Sequence, residues 1–194
     1  TAAAIQYLSS PLQRRIYTHA GWREINGRWH FLHGAGAITA GGFVSDIEVD
    51  LGRGLQNYQL PDPKSGDIKG AIEASLELLK IAPYHITWPL LAVGFRSVLA
   101  EWLPAELSVF VVGPTGTFKT CLAALCTAHF GRGWTGSNTP ASWSSTPNAL
   151  ERMAFTTKDH LLLIDDFAPN GTFTDVKKLH ATAERVIRAQ GNQS

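Results

Sequence analysis

Cysteine is scarce in this 194-residue chain: only Cys121 and Cys126 occur, with no Cys-x-x-Cys pair and no ligand cluster near them. That pattern argues against a disulfide-stapled scaffold or a cysteine metal site. It leaves two small, buried apolar side chains on one helix, in a reducing compartment such as the cytoplasm. A surplus of charge is missing too. Seventeen Lys and Arg stand against sixteen Asp and Glu, a net charge of +1, so any site for a polyanion has to be local. Long hydrophobic runs are also absent. The most apolar stretch, residues 86–103, carries Arg96 and Glu101 and falls short of the ~20 apolar residues a membrane span needs. It reads as a buried helix of a soluble fold, with no membrane partner. Thr1–Ser10 lacks the basic start and apolar run of a secretory signal. With no methionine at its start and no closing architecture at "GNQS", the chain is expected to be a piece of a longer protein. At 44% apolar and 17% charged residues it has the composition of an ordinary globular domain, with room for a core and a small accessory unit.

The chain divides into three expected parts. Residues 1–64 read as a β-rich unit. Within it "WREINGRWHFL" sets Asn26-Gly27 between two stretches of β-formers, and Asn-Gly suits the positive φ angles of a two-residue hairpin turn. The Gly- and Ala-rich "HGAGAITAGG" does not fit the Gly-x-Gly-x-x-Gly dinucleotide spacing and reads as turns between strands. A strand over about 43–49 follows, then a Pro- and Gly-rich linker near 58–67. Residues 65–105 read as helical. Ile68, Ile72, Leu76 and Leu79 recur at helical spacing between Asp67 and Ile81, and Thr87 is expected to cap a second helix with Pro89 in its first turn, ending near Trp102. Residues 106–194 read as an α/β core.

That core opens with "LSVFVV", Leu107–Val112, a short apolar run typical of a strand buried on both faces. It leads into Gly113, Pro114, Thr115, Gly116, Thr117, Phe118, Lys119 and Thr120, close to the phosphate-binding pattern Gly-x-x-x-x-Gly-Lys-Ser/Thr. "KTCLAALCTAHF" then has helical spacing. Such a loop answers a triphosphate with converging main-chain N–H groups at a positive helix end. Lys119 would reach the β and γ phosphates, and the Thr120 hydroxyl would bind Mg²⁺. Phe118 stands where the pattern has glycine. Its φ is expected to be negative, with the ring packed away from the phosphates and its N–H still facing the nucleotide. A ring lying in the phosphate pocket would instead make the site degenerate.

A second half lies downstream. "DHLLLIDDF" ends an apolar strand in Asp165 and Asp166, the form of a Walker B strand. Asp165 would hold Mg²⁺, and Asp166 would orient the attacking water. The interval leaves room for the loop's helix, a strand near 134–137 and a helix over about 146–154 capped by Ser145 or Thr146. Polar groups in this stretch either sense the γ-phosphate, line a channel or form a solvated helix face. The closing helix turns Val176, Leu179, Ala183 and Val186 inward. Lys177, Lys178, Arg185 and Arg188 then either touch a nucleic-acid backbone or a neighbouring subunit's phosphate, or remain solvated.

"GWREINGRWHFLHGAGAI" with "YQLP", "GPTGTFKT", "SWSSTPNALE", "LLLIDDFAP" and "ERVIRAQGN" together resemble a family of P-loop ATPase domains of phages, plasmids and integrated elements. Members of that family accompany DNA primase and primase-polymerase domains. The likeness runs from about Arg15 to the end. It implies a three-layer, mostly parallel sheet, ATP and Mg²⁺ as cofactors, helicase-like movement on DNA, and a homo-oligomeric ring. It also implies a sensor strand between the two motif strands and an arginine finger, neither of which occurs by residue 194; turnover by this piece alone is therefore expected to be poor. Two rival readings share the loop: a nucleotide-gated switch or scaffold, and a small-molecule kinase, for which no arginine-rich lid is visible.

Overall fold

The computed structural model describes residues 15–104 and 107–191. The Thr1–Ser10 opening and the expected boundary at 105/106 lie outside them. Among the described residues six short strands come first: β1 (Ile16–Tyr17), β2 (Gly21–Ile25), β3 (Arg28–His33), β4 (Gly36–Thr39), β5 (Gly42–Val44) and β6 (Glu48–Val49). β2 to β5 form an antiparallel meander, and β1 pairs in parallel with β6. The Asn-Gly hairpin forms as expected. Asn26 and Gly27 take φ of 52° and 73°, the left-handed pair that matches the twist of the flanking strands. Two expectations shift here. Part of the glycine-rich stretch is strand β4 rather than turn, because Ala37 and Ile38 pair with Val44 and Phe43. The strand expected over 43–49 is broken by a bend into β5 and β6.

Helix α1 (Ile68–Glu77) starts where the Asp67 carboxylate accepts the Gly70 N–H at 3.0 Å, satisfying one of the otherwise open first-turn donors. Its apolar stripe, Ile68, Ile72 and Leu76, is exposed. A 3-10 turn over Leu78–Lys80 leads to α2 (Tyr84–Ser97). This helix begins a turn before the expected site, at Pro83, so Pro89 falls inside it and Thr87 is a buried side chain whose hydroxyl donates to the Leu79 carbonyl at 3.3 Å. Nor is the 86–103 stretch buried all round. Leu90 and Leu91 pack with Leu78 and Cys126, while Trp88, Phe95, Trp102 and Leu103 face out. Among the described residues no helix is long and apolar enough to cross a membrane.

The last part contains α3 (Lys119–Thr127), β7 (Ala141–Ser142), α4 (Pro147–Thr156), β8 (Ile164–Asp165) and α5 (Phe173–Gly191). Residues 107–112 do not form the expected strand. They have no ladder partner among the described residues, and Val112 is 89% exposed. The strand expected at 134–137 is replaced by a tight turn closed by Thr135 and Asn138, and the strand beside β8 is β7, a few residues later. β7 and β8 run parallel, Ala141 beside Ile164 and Ser142 beside Asp165. Ala141, Trp143 and Ile164 turn to α4 and α5 and pack with Leu150, Leu179 and Ala183. The opposite face meets α3, where Leu161 packs near Leu122 and Cys126. The described residues thus form a mixed α/β structure with small sheets and five α-helices, two of the sheets being two-stranded parallel pairs.

One core cluster ties the β-rich unit to this part: Ala20, Leu51, Leu55 and Tyr58 pack with Phe130 and Trp134. Tyr58 is fully buried, and its hydroxyl donates to the Leu161 carbonyl at 2.8 Å. That bond removes the cost of burying the phenol oxygen and anchors the segment that runs into β8. Two more bonds cross the same seam. The Ala20 N–H donates to the Thr156 carbonyl at 2.7 Å, and the Trp22 N–H to the buried Asp159 carboxylate at 2.8 Å. Burial raises the Asp159 pKa, and the Trp22 N–H and the Lys158 ammonium oppose that rise.

Candidate nucleotide site

The loop from Gly113 to Phe118 lies exposed ahead of α3. Its shape is set from within. The Thr117 hydroxyl donates to the Pro114 carbonyl at 2.8 Å, and Gly116 takes a positive φ of 83°, an angle that suits glycine. Lys119 folds back over the loop, its ammonium donating to the carbonyls of Gly113 at 2.8 Å and Pro114 at 2.6 Å. Phe118 at the N-cap makes no side-chain bond to α3, so among the described residues the first N–H groups of the helix stay open to an acceptor from outside, at the end where the helix field is positive.

Phe118 departs from expectation in two ways. Its φ is +56°, in the left-handed region, not negative. The position therefore demands the backbone angle that the glycine of the pattern supplies without strain. Its ring is 78% exposed and lies in solvent instead of neighbouring packing. A ring so exposed does not fill a phosphate cavity either.

Thr120 and Asp165 come together. The Thr120 hydroxyl donates to Asp165 Oδ1 at 3.0 Å, across 45 residues of sequence. The Trp143 N–H donates to the Asp165 carbonyl at 2.9 Å, extending the parallel ladder and fixing the carboxylate at the end of β8. A hydroxyl beside a single carboxylate is the donor set a hard cation takes when waters and substrate phosphates complete its shell. This set fits Mg²⁺. Among the described residues there is no group of three or more His, Cys, Asp or Glu able to hold a metal. Asp166 sits just beyond, exposed, at φ +63°, where the chain turns and the Ala168 N–H bonds its carbonyl at 3.0 Å.

Other expected polar groups are spent elsewhere. The Arg185 guanidinium grips both carboxylate oxygens of Glu151 and reaches Asn148 Oδ1 at 3.1 Å; the polar face of α4 thus holds α5. Arg188 pairs with Glu184 at 2.7 Å one turn back. Cys121 is exposed, not buried, while Cys126 is buried and its thiol is pushed up to about 11. Sequence reasoning missed Ser142 and Ser144. Their hydroxyls lie 2.9 Å apart at the end of β7, beside Asp165. The serine-rich "SWSS" was the only signal, and it carries meaning only once β7 is in register with β8.

Compared with known proteins, the chain has no significant match to a family model, a curated protein or a solved structure.

Proposed function

We propose that this chain binds a nucleoside triphosphate on the Gly113–Thr120 loop and belongs to an ATP-hydrolysing, helicase-like motor acting in DNA replication of a mobile element. The observation that carries the nucleotide reading is the 3.0 Å bond from Thr120 to Asp165. Two motifs far apart in sequence supply one hydroxyl and one carboxylate at the mouth of an uncapped helix. The likeness to phage and plasmid P-loop ATPases supports the motor, its ring form and a primase or polymerase partner. The larger parallel sheet of that fold belongs to the same reading.

In this reading Lys119 exchanges the Gly113 and Pro114 carbonyls for the β and γ phosphate oxygens, so its charge is delivered without a search through rotamers. The open N–H groups of α3 and the loop amides take the remaining phosphate oxygens. Asp165 and Thr120 would hold Mg²⁺, which supplies charge neutralisation at the phosphates when bound. Asp166, free of the β7–β8 ladder, would orient the attacking water.

A nucleotide-gated switch gains support from α5, whose Arg185 and Arg188 are already paired within the chain and so offer less to a DNA backbone. One experiment separates the readings: nucleotide binding and ATP hydrolysis by the full-length protein, with and without single-stranded DNA, beside a Lys119→Ala control. The motor reading expects binding that Lys119→Ala weakens at least roughly tenfold, and hydrolysis stimulated by DNA. Binding without stimulation selects the switch. Equal nucleotide affinity in parent and control removes Lys119 from the site.

A further inference from the structure

Ser142 and Asp165 are partners on parallel strands, and partners in a parallel pair project to the same face of the sheet. The other parity agrees, since Ala141 and Ile164 pack with Leu150 and Ala183 on the far side. The Ser142 hydroxyl therefore leaves the sheet beside the carboxylate that accepts from Thr120, on the face that meets the start of α3. Both residues are half-buried. Ser142 is also held in place. Its oxygen accepts the Ser144 N–H at 3.2 Å and lies 2.9 Å from the Ser144 hydroxyl.

A serine hydroxyl carries one proton and two lone pairs. Either hydroxyl of this pair can be the donor; a donor water near Ser142 selects the arrangement in which Ser142 gives its proton to Ser144, and with one lone pair taken by the Ser144 N–H a single acceptor site remains for that water. A magnesium ion held by one carboxylate and one hydroxyl keeps several of its waters, and those polarised waters need acceptors close to the carboxylate. We infer that Ser142, set by Ser144, is a positioning residue that accepts a hydrogen bond from a magnesium-bound water beside Asp165. This rests on the nucleotide reading of the loop, and it adds a water-binding partner that neither motif contains.

The test is the binding of a fluorescent ADP analogue to the whole chain across a magnesium titration. In Ser142→Ala the magnesium concentration for the half-maximal effect rises roughly tenfold, as loss of an outer partner of a metal site does, while metal-free nucleotide affinity and metal-free melting temperature stay those of the parent. Ser142→Thr, which keeps the hydroxyl, remains within about twofold of the parent because the acceptor survives. Ser144→Ala, at an exposed position, shifts the midpoint in the same direction by a smaller factor and serves if Ser142→Ala does not fold. An unchanged magnesium midpoint in both alanine variants overturns the inference and leaves the nucleotide site standing. So does an equal loss of affinity with and without metal, which marks a structural role. A parent that binds no nucleotide under any condition overturns the nucleotide reading and this inference together.

Discussion

Phe31 of β3 stacks on His160, ring centroids 4.8 Å apart and planes 23° from parallel, so an imidazole from the segment leading into β8 is sandwiched into the β-rich unit. Burial lowers the His160 pKa to about 4, and its Nδ1 lies 3.0 Å from the Lys158 carbonyl. Nearby His33 is lowered to about 4 by the same cause. Its Nδ1 accepts the N–H groups of Ala35 and Leu60, which requires that nitrogen to be unprotonated. In the unfolded chain both rings titrate near 6.5. Between that value and about 4 the unfolded state binds protons that the native state excludes, so stability falls as pH falls through this window. The loss is roughly 2 kcal/mol for each ring between pH 7 and 5. Asp159, whose pKa is raised, runs the other way: its burial cost eases as it takes a proton. Urea denaturation at pH 7 and pH 5 should show the net loss, and His160→Phe should remove about half of it. Identical pH dependence in parent and variant would mean that His160 titrates normally.

Phe118 provides a backbone test. At φ +56° with its ring in solvent, it pays for a left-handed angle and gains little from packing. Phe118→Gly is expected to be about 1 kcal/mol more stable than Phe118→Ala, because only glycine relieves the angle. Paired thermal melts of the two variants measure the difference. Nucleotide affinity of the glycine variant should match or exceed that of the parent; a clear loss would assign the ring itself to the ligand.

Gly131 lies against the Asn57 backbone of the β-rich unit. A Cβ there would collide with the Asn57 carbonyl and crowd the Gln59 amide. Backbone is less able to move aside than a side-chain tip, and Phe130 and Tyr58 beside it belong to the same core. Gly131→Ala should cost about 3 kcal/mol or more, at the upper end for an overpacked site. A melting temperature unchanged from the parent would refute that packing.

Arg185 separates structure from nucleic-acid contact. Its fork holds Glu151 through two oxygens, stronger geometry than an ordinary surface pair, although both side chains remain partly exposed. Arg185→Ala should therefore cost roughly 1 kcal/mol of stability and leave DNA affinity unchanged. Lys177→Ala with Lys178→Ala gives the contrast, since no ion pair joins these lysines to the described residues. A large drop in DNA affinity from Arg185→Ala alone would return that arginine to a binding role.

Local features were readable because their causes lie within a few residues. Asn26-Gly27 carries its own turn geometry, Thr146 caps the helix that follows it, and α3 and α5 follow from apolar spacing. Phe118 was misjudged although it too is local: the loop's path into α3 sets its φ, and the residue identity only decides how much that angle costs.

Residue type and spacing alone singled out Thr120 and Asp165, the two residues whose side chains the structure joins. What tertiary structure decided was partnership. It chose Ser142 in place of residues 134–137 to stand beside Asp165, sent Arg185 to Glu151, turned the α1 stripe and Val112 outward, and brought His160 under Phe31. Periodicity specifies which face of an element is apolar, whereas strand register and the neighbour a face meets depend on hydrogen bonds and packing between segments tens of residues apart, which no local pattern encodes.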